Sequence, residues 1–171
     1  LVATFVLTPL MLGSTELLTV WDLLSYRIQK EALQQSPLFK GMHVWQIKKI
    51  LLASEIRRFA SGERIITEGD KGTEMYVVLE GAVEAQLRRD DEVRVLRKMD
   101  VGQLFGEVGP LSGTKRTADV VATSATQVLV LSWGRIDRLT RRFPILAFRL
   151  FRNLTQIIGQ RLRQTSEYRG G

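Results

Sequence analysis

Between Glu55 and Leu131 the chain is cut into short β-like runs by regularly spaced turn signals. Gly62, Gly69-Asp70, Lys71-Gly72, Gly81, Asp90-Asp91 and Asp100-Val101-Gly102 supply the turns. The runs between them predict strands over Arg64–Thr67, Met75–Leu79, Ala82–Leu87, Val93–Leu96, Thr117–Ala122 and Thr126–Ser132. Val83, Ala85 and Leu87 alternate with Glu84 and Gln86, as a half-buried strand requires. Many short strands of this spacing favour a sandwich or a jelly-roll barrel. Helical periodicity flanks them on both sides. Leu17, Leu18, Trp21, Leu24 and Ile28 form a stripe over Glu16–Gln35, which Ser36-Pro37 breaks. Leu38–Met42 is a short hydrophobic connection, and Val44–Leu52 predicts a second short helix. After Ser132, Trp133–Arg142 predicts a helix and Pro144 opens another. There Leu146, Leu150, Leu154, Ile157 and Ile158, with Phe148 and Phe151, make a broad apolar face. Asn153, Gln156, Gln160 and Gln164 share the opposite side with the arginines.

The stretch Phe105–Ala118 carries the chemistry. It holds three glycines, one acid, and one arginine beside a hydroxyl, between two β-like segments. Glycines let the backbone approach a ligand closely. A short helix beginning at Glu107 would turn free N–H groups toward an anion. Arg116 adds a planar fork of donors suited to phosphate oxygens. An ionised Glu107 only accepts hydrogen bonds, so it suits a hydroxyl. A ligand with one phosphate and a sugar hydroxyl nearby satisfies both, which is a small nucleotide. The plain alternative is a glycine-rich hairpin with a surface Arg and Glu.

F-G-E, the small Gly109, the aliphatic Leu111 and R-T-A resemble the phosphate-binding cassette of the cyclic nucleotide-binding domain family. The segment GERIITEGDKGTEMYVVLEGAVEA resembles the first half of that family's barrel, so the likeness runs from Leu38 to about Gln164. It implies an α+β fold: a β-jelly-roll barrel flanked by N-terminal helices and by C-terminal B and C helices. It implies cAMP or cGMP as ligand, with no cofactor. Glu107 would accept from the ribose 2′-hydroxyl and Arg116 would bind the cyclic phosphate. Gly106 and Thr117 would add phosphate and sugar contacts, with Val108, Gly109 and Ala118 completing the pocket. The long C-terminal helix would cap the base. Pro110 departs from the pattern, where an aliphatic residue is more usual.

Charge and composition narrow the function. The net charge is +7, and Arg135–Arg163 holds eight arginines against Asp137 alone, so the excess belongs to the C-terminal helices. A solvated helix face is the plain explanation; an anionic membrane surface or an acidic partner is the other. Nucleic acid is not expected, because no aromatic-rich basic platform accompanies the charge. There is no cysteine, and the single histidine, His43, reads as a partly exposed helix-start residue. No Ser/His/Asp or Cys/His set is available, so binding without catalysis is expected.

Leu1–Thr15 carries no charge and is too short to span a bilayer alone; it suffices as the tail of a spanning helix, with a soluble core helix as the plain alternative. Arg27 and Lys30 then favour a cytoplasmic side for the rest of the chain. TFVLTPLML leading into STELLTVWDLLSYRIQ resembles the end of the last transmembrane helix in RND/MMPL-type exporters. The chain is therefore expected to divide at 1–36 (membrane tail and amphipathic linker helix), 37–166 (cyclic nucleotide-binding domain) and 167–171 (C-terminal tail). It would act as a regulatory sensor at the cytoplasmic face of the inner membrane, with homo-oligomerisation open. The alternatives are a transcription regulator of the cyclic AMP receptor type lacking its DNA-binding domain, and a degenerate interaction domain without ligand.

Overall fold

The computed structural model describes residues 30–89 and 92–167, with side chains through residue 164. Residues 30–35 are helical, and a 3-10 turn, Pro37–Phe39, comes next. Helix α1 is Val44–Leu52, with the exposed His43 at its N-cap. Eight strands succeed it: β1 Glu55–Phe59, β2 Arg64–Ile66, β3 Glu74–Glu80, β4 Val83–Arg89, β5 Glu92–Met99, β6 Leu104–Phe105, β7 Asp119–Ala122 and β8 Thr126–Ser132. Helix α2, Val108–Ser112, lies between β6 and β7, and α3, Trp133–Arg142, and α4, Pro144–Glu167, close the chain.

The strands form two antiparallel four-stranded sheets, β1-β8-β3-β6 and β2-β7-β4-β5, the jelly-roll arrangement. Strand β3 explains why the layers stack. Its side chains alternate between two faces, and both faces are buried. Met75, Val77 and Leu79 join one core with the helices, including Leu38, Ile50, Ile136 and Leu146. Tyr76 and Val78 join a second core between the sheets with Phe105, Val83, Val120 and Val128. A strand covered on both faces reads as a continuous apolar run, MYVVL, without polar alternation. Strand β8 does the same, sending Leu129 and Leu131 to the helices and Val128 and Val130 to the sheets.

Two strands have no counterpart among the runs expected from sequence. Strand β1 is EIRRF, mostly charged and exposed because it lies at a sheet edge beside β8. Strand β6 is two residues long, and only its pairing with Tyr76 and Val77 defines it. The long helix also differs from expectation. Leu146, Leu150, Leu154 and Ile157 are buried, but Phe148 and Phe151 stand 67% and 41% exposed, outside that stripe. Asn153, expected on the polar side, is 1% exposed. Its Nδ2 donates to the carbonyls of Leu38 (2.8 Å) and Lys40 (2.9 Å), tying α4 to the 3-10 turn. Among the described residues no helix is long and apolar enough to cross a membrane. The expected Leu1–Thr15 tail and most of the Glu16–Gln35 helix lie outside the described residues.

This packing can be tested at two side chains. Asn153→Ala strands two backbone carbonyls next to buried apolar side chains, at about 1–3 kcal/mol for an unsatisfied buried acceptor. Urea denaturation should show a lower midpoint at unchanged slope, and an unchanged midpoint would remove the tether. Tyr76 supplies a pH test. Burial, then the hydrogen bond to Glu74, pushes its phenol from 10.0 to about 12. The folded state therefore holds that proton more tightly than the unfolded chain, so its contribution is intact below pH 10 and lost as pH rises toward 12. Thermal unfolding across that window should cost the wild type more stability than Tyr76→Phe.

Candidate functional site

The site is built on the connection from β6 through α2 to β7. Gly106 sits at φ +73°, and a Cβ there would come within 2.9 Å of Ile66 and 3.0 Å of the Arg116 guanidinium. Only glycine fits that backbone at that spacing. Glu107 is next, at the N-cap of α2, without capping it through its side chain. Pro110 falls at the third helical position, where its missing N–H has no intrahelical partner to lose. The expected helix is real but spans five residues, little more than one turn, so its dipole is a minor contributor beside a full guanidinium charge.

Arg116 is 7% exposed. Its Nη1 donates to the Gly106 carbonyl (2.5 Å) and its Nη2 to the Glu74 carbonyl (2.7 Å). The guanidinium lies 6.0 Å from the Tyr76 ring centroid, at the outer limit of a cation–π contact. The backbone fixes its base: the Arg116 N–H donates to Asp70 O and the Gly69 N–H to Arg116 O, both at 2.9 Å. That exchange brings Gly72 against the guanidinium, and a Cβ on Gly72 would sit 2.1 Å from Nε. The sequence assigns Gly72 only to a turn; its second role depends on a contact 44 positions away in the chain.

Behind Arg116 a carboxylate network stiffens the wall. Arg57 donates twice to Glu74, at 2.8 and 3.0 Å, and Tyr76 Oη donates to it at 2.8 Å. Burial alone would raise the Glu74 pKa, but these hydrogen bonds outweigh it and hold the carboxyl below its ordinary value.

Gly106, Glu107, Val108, Gly109, Arg116, Thr117 and Ala118 all line one cavity of about 730 Å³. Glu107 is 4% exposed, Thr117 and Val108 are exposed, and Ala118 is half-buried. Ile66, Ala85, Met99, Phe105 and Val120 add an apolar lining. A volume of this size suits a small organic ligand, for which sites run about 300–1,000 Å³.

The C-terminal helix closes the cavity with residues that sequence reading does not single out. Arg161 of α4 forms an ion pair with Glu107 and also donates to the Leu104 carbonyl. Arg97 of β5 donates to Gln164 Oε1 at 2.9 Å. Burial, then the neighbouring Arg161 charge, pushes the Arg97 pKa below its ordinary value, with Glu107 acting in the opposite sense. In the sequence Arg161 is one of eight arginines in a run, and only the position of α4 over β6 distinguishes it.

Comparison with known proteins agrees with this fold. The family model for the cyclic nucleotide-binding domain matches residues 56–143. The chain is 31% identical over 133 residues to the cyclic AMP receptor protein of Thermus thermophilus, covering 77% of this chain and 60% of that protein. It is 29% identical over 131 residues to the mouse (Mus musculus) cyclic nucleotide-gated channel beta-3, covering 75% and 19%. The chain thus spans less than two thirds of either relative. The regulatory domain of Toxoplasma gondii PKA, crystallised with cAMP, superposes with a TM-score of 0.59 at 27% identity, covering 66% of this chain and 43% of that one. A family match over half the chain, on two jelly-roll sheets joined by this glycine-rich connection, means that the chain belongs to the cyclic nucleotide-binding domain family.

Proposed function

We propose that this domain binds cAMP or cGMP in the 730 Å³ cavity and acts as a regulatory module without catalysing a reaction. One observation carries the reading: Glu107 and Arg116, opposite in charge and both nearly fully buried, line the same cavity. Arg116 takes the cyclic phosphate, its guanidinium already oriented by two carbonyls that cannot neutralise it. Glu107 accepts from the ribose 2′-hydroxyl, and Gly106 lets the backbone come close. The base lies toward α4, where Arg161 already bridges to Glu107. A ligand shifts the position of α4 only by binding one position more tightly than the other.

For the host protein we favour a membrane transporter, with this domain at the cytoplasmic face. The charge-free Leu1–Thr15 stretch and the arginine-rich C-terminal helices support that reading. A regulator of the cyclic AMP receptor type is equally compatible with the relatives.

Isothermal calorimetry with cAMP and cGMP tests the site. Arg116→Ala should weaken binding by roughly 30-fold to several thousand-fold, since losing one partner of a desolvated charge pair costs about 2–5 kcal/mol. Unchanged affinity in a variant that still unfolds cooperatively would end the assignment. Thr117 has a hydroxyl that both donates and accepts at the cavity wall, so it can meet a syn guanine amino group as well as a phosphate. cGMP should therefore bind at least as well as cAMP, and Thr117→Ala should weaken cGMP more. Equal loss for both ligands would mean that Thr117 does not select the base.

A further inference from the structure

The outer face made by α1 and the first turns of α4 exposes large apolar side chains that the fold leaves uncovered. Val44, Trp45 and Leu52 of α1 are 70%, 43% and 87% exposed, and Ile145 and Phe148 of α4 are 65% and 67% exposed. Side-chain contacts connect the two elements. Trp45 packs edge-on to Phe143 at 6.2 Å, and Lys49 Nζ lies 4.3 Å from the same ring. Arg152 lies 5.9 Å from the Phe148 ring and reaches Gly41, three residues before α1. The surface is also strongly cationic. Residues 38–54 hold three lysines and no acid, and residues 133–153 hold six arginines and Asp137 alone. That carboxylate is taken by Arg141 at 3.0 Å.

We infer that this face docks on an anionic lipid bilayer. A second copy of the chain fits poorly, because a two-fold contact sets the same patch against itself and would oppose like charges. A nucleic acid would answer the charge but leave the protruding Val44 and Phe148 unburied, and an acidic protein would need an apolar patch of its own shaped to this face. Anionic lipid answers both. The apolar side chains enter the boundary between headgroups and acyl chains, and the arginine and lysine stems lie along it with their charges at the phosphates. Trp45 has the amphipathic ring favoured at that depth. The face occupies the start of α4, whereas the cavity is lined by Ile158, Arg161 and Leu162 near its end, so docking leaves the cavity accessible. The inference is independent of the nucleotide reading and of residues 1–29.

The test is co-sedimentation of the full chain with neutral phosphatidylcholine vesicles and with vesicles containing phosphatidylglycerol. The charge-free N-terminal stretch gives no preference between them, so the difference reports the cationic face. Wild type should partition at least about tenfold better onto the anionic vesicles, at about 1 kcal/mol per basic residue at the surface, and lose the preference in high salt. Val44→Ser/Phe148→Ser, which leaves the charge unchanged, should lose most of the binding to the anionic vesicles while melting like wild type. Both substitutions lie on exposed positions away from the cavity, so a folding failure is not expected. Three results would each overturn the inference. The first is a wild type without anionic preference. The second is a double variant that binds the anionic vesicles as well as wild type, meaning that charge alone acts and the apolar side chains do not enter the bilayer. The third is a wild-type dimer in light scattering that the double variant dissolves, which makes the face a self-interface.

Discussion

A guanidinium withdrawn from water must be hydrogen-bonded within the protein, and Arg116 meets that demand with backbone carbonyls. Much of the site depends on this. The Gly106 carbonyl can reach Arg116 because the backbone there turns through a conformation only glycine adopts easily. Gly72 has no side chain because the guanidinium fills the space one would need. The Glu74 carbonyl is held in line by strand pairing to β8, while its carboxylate is engaged by Arg57 and Tyr76. Carbonyl dipoles orient a cation without cancelling its charge. The wall of the cavity therefore keeps a fixed positive site, which the proposed phosphate would complete.

The same strand that carries Glu74 also joins the two cores. Met75, Val77 and Leu79 support the helices, while Tyr76 packs against Phe105 with ring centroids 5.0 Å apart. Phe105 is the residue before Gly106, so the inter-sheet core sets the height at which the glycine turn begins. Site geometry and core packing are thus one problem in this fold. A change at Phe105 or Tyr76 would move Arg116's acceptors as well as the core.

Much of this was legible in the sequence, for physical reasons that differ by element. Helices α1 and α3 were readable to the residue because their patterns, and the Pro144 that follows α3, are local. Strand β3 was readable because burial on both faces gives a continuous apolar run. Strands β1 and β6 were not, since pairing partners far along the chain define them. The glycine-rich connection was legible because close approach and charge placement each demand one residue type. Arg161 and Asn153 were not. Helical periodicity states that a polar residue lies off the apolar stripe, but not that a carbonyl or a carboxylate awaits it on another element.

Asn153 and Arg161 give α4 two points of attachment with different mechanical roles. The first pins the helix to the 3-10 turn, and the second reaches the cavity eight residues later. At 1.5 Å per residue that separation is about 12 Å of stiff rod. Pivoting at Asn153 by about 10° would swing the Arg161 backbone by roughly 2 Å, enough to part an ion pair. The helix is therefore a lever whose fulcrum lies in the core and whose short working arm ends on Glu107. A displacement at the cavity would turn the helix about the Asn153 tether, beside the 3-10 turn that leads back toward the N-terminus.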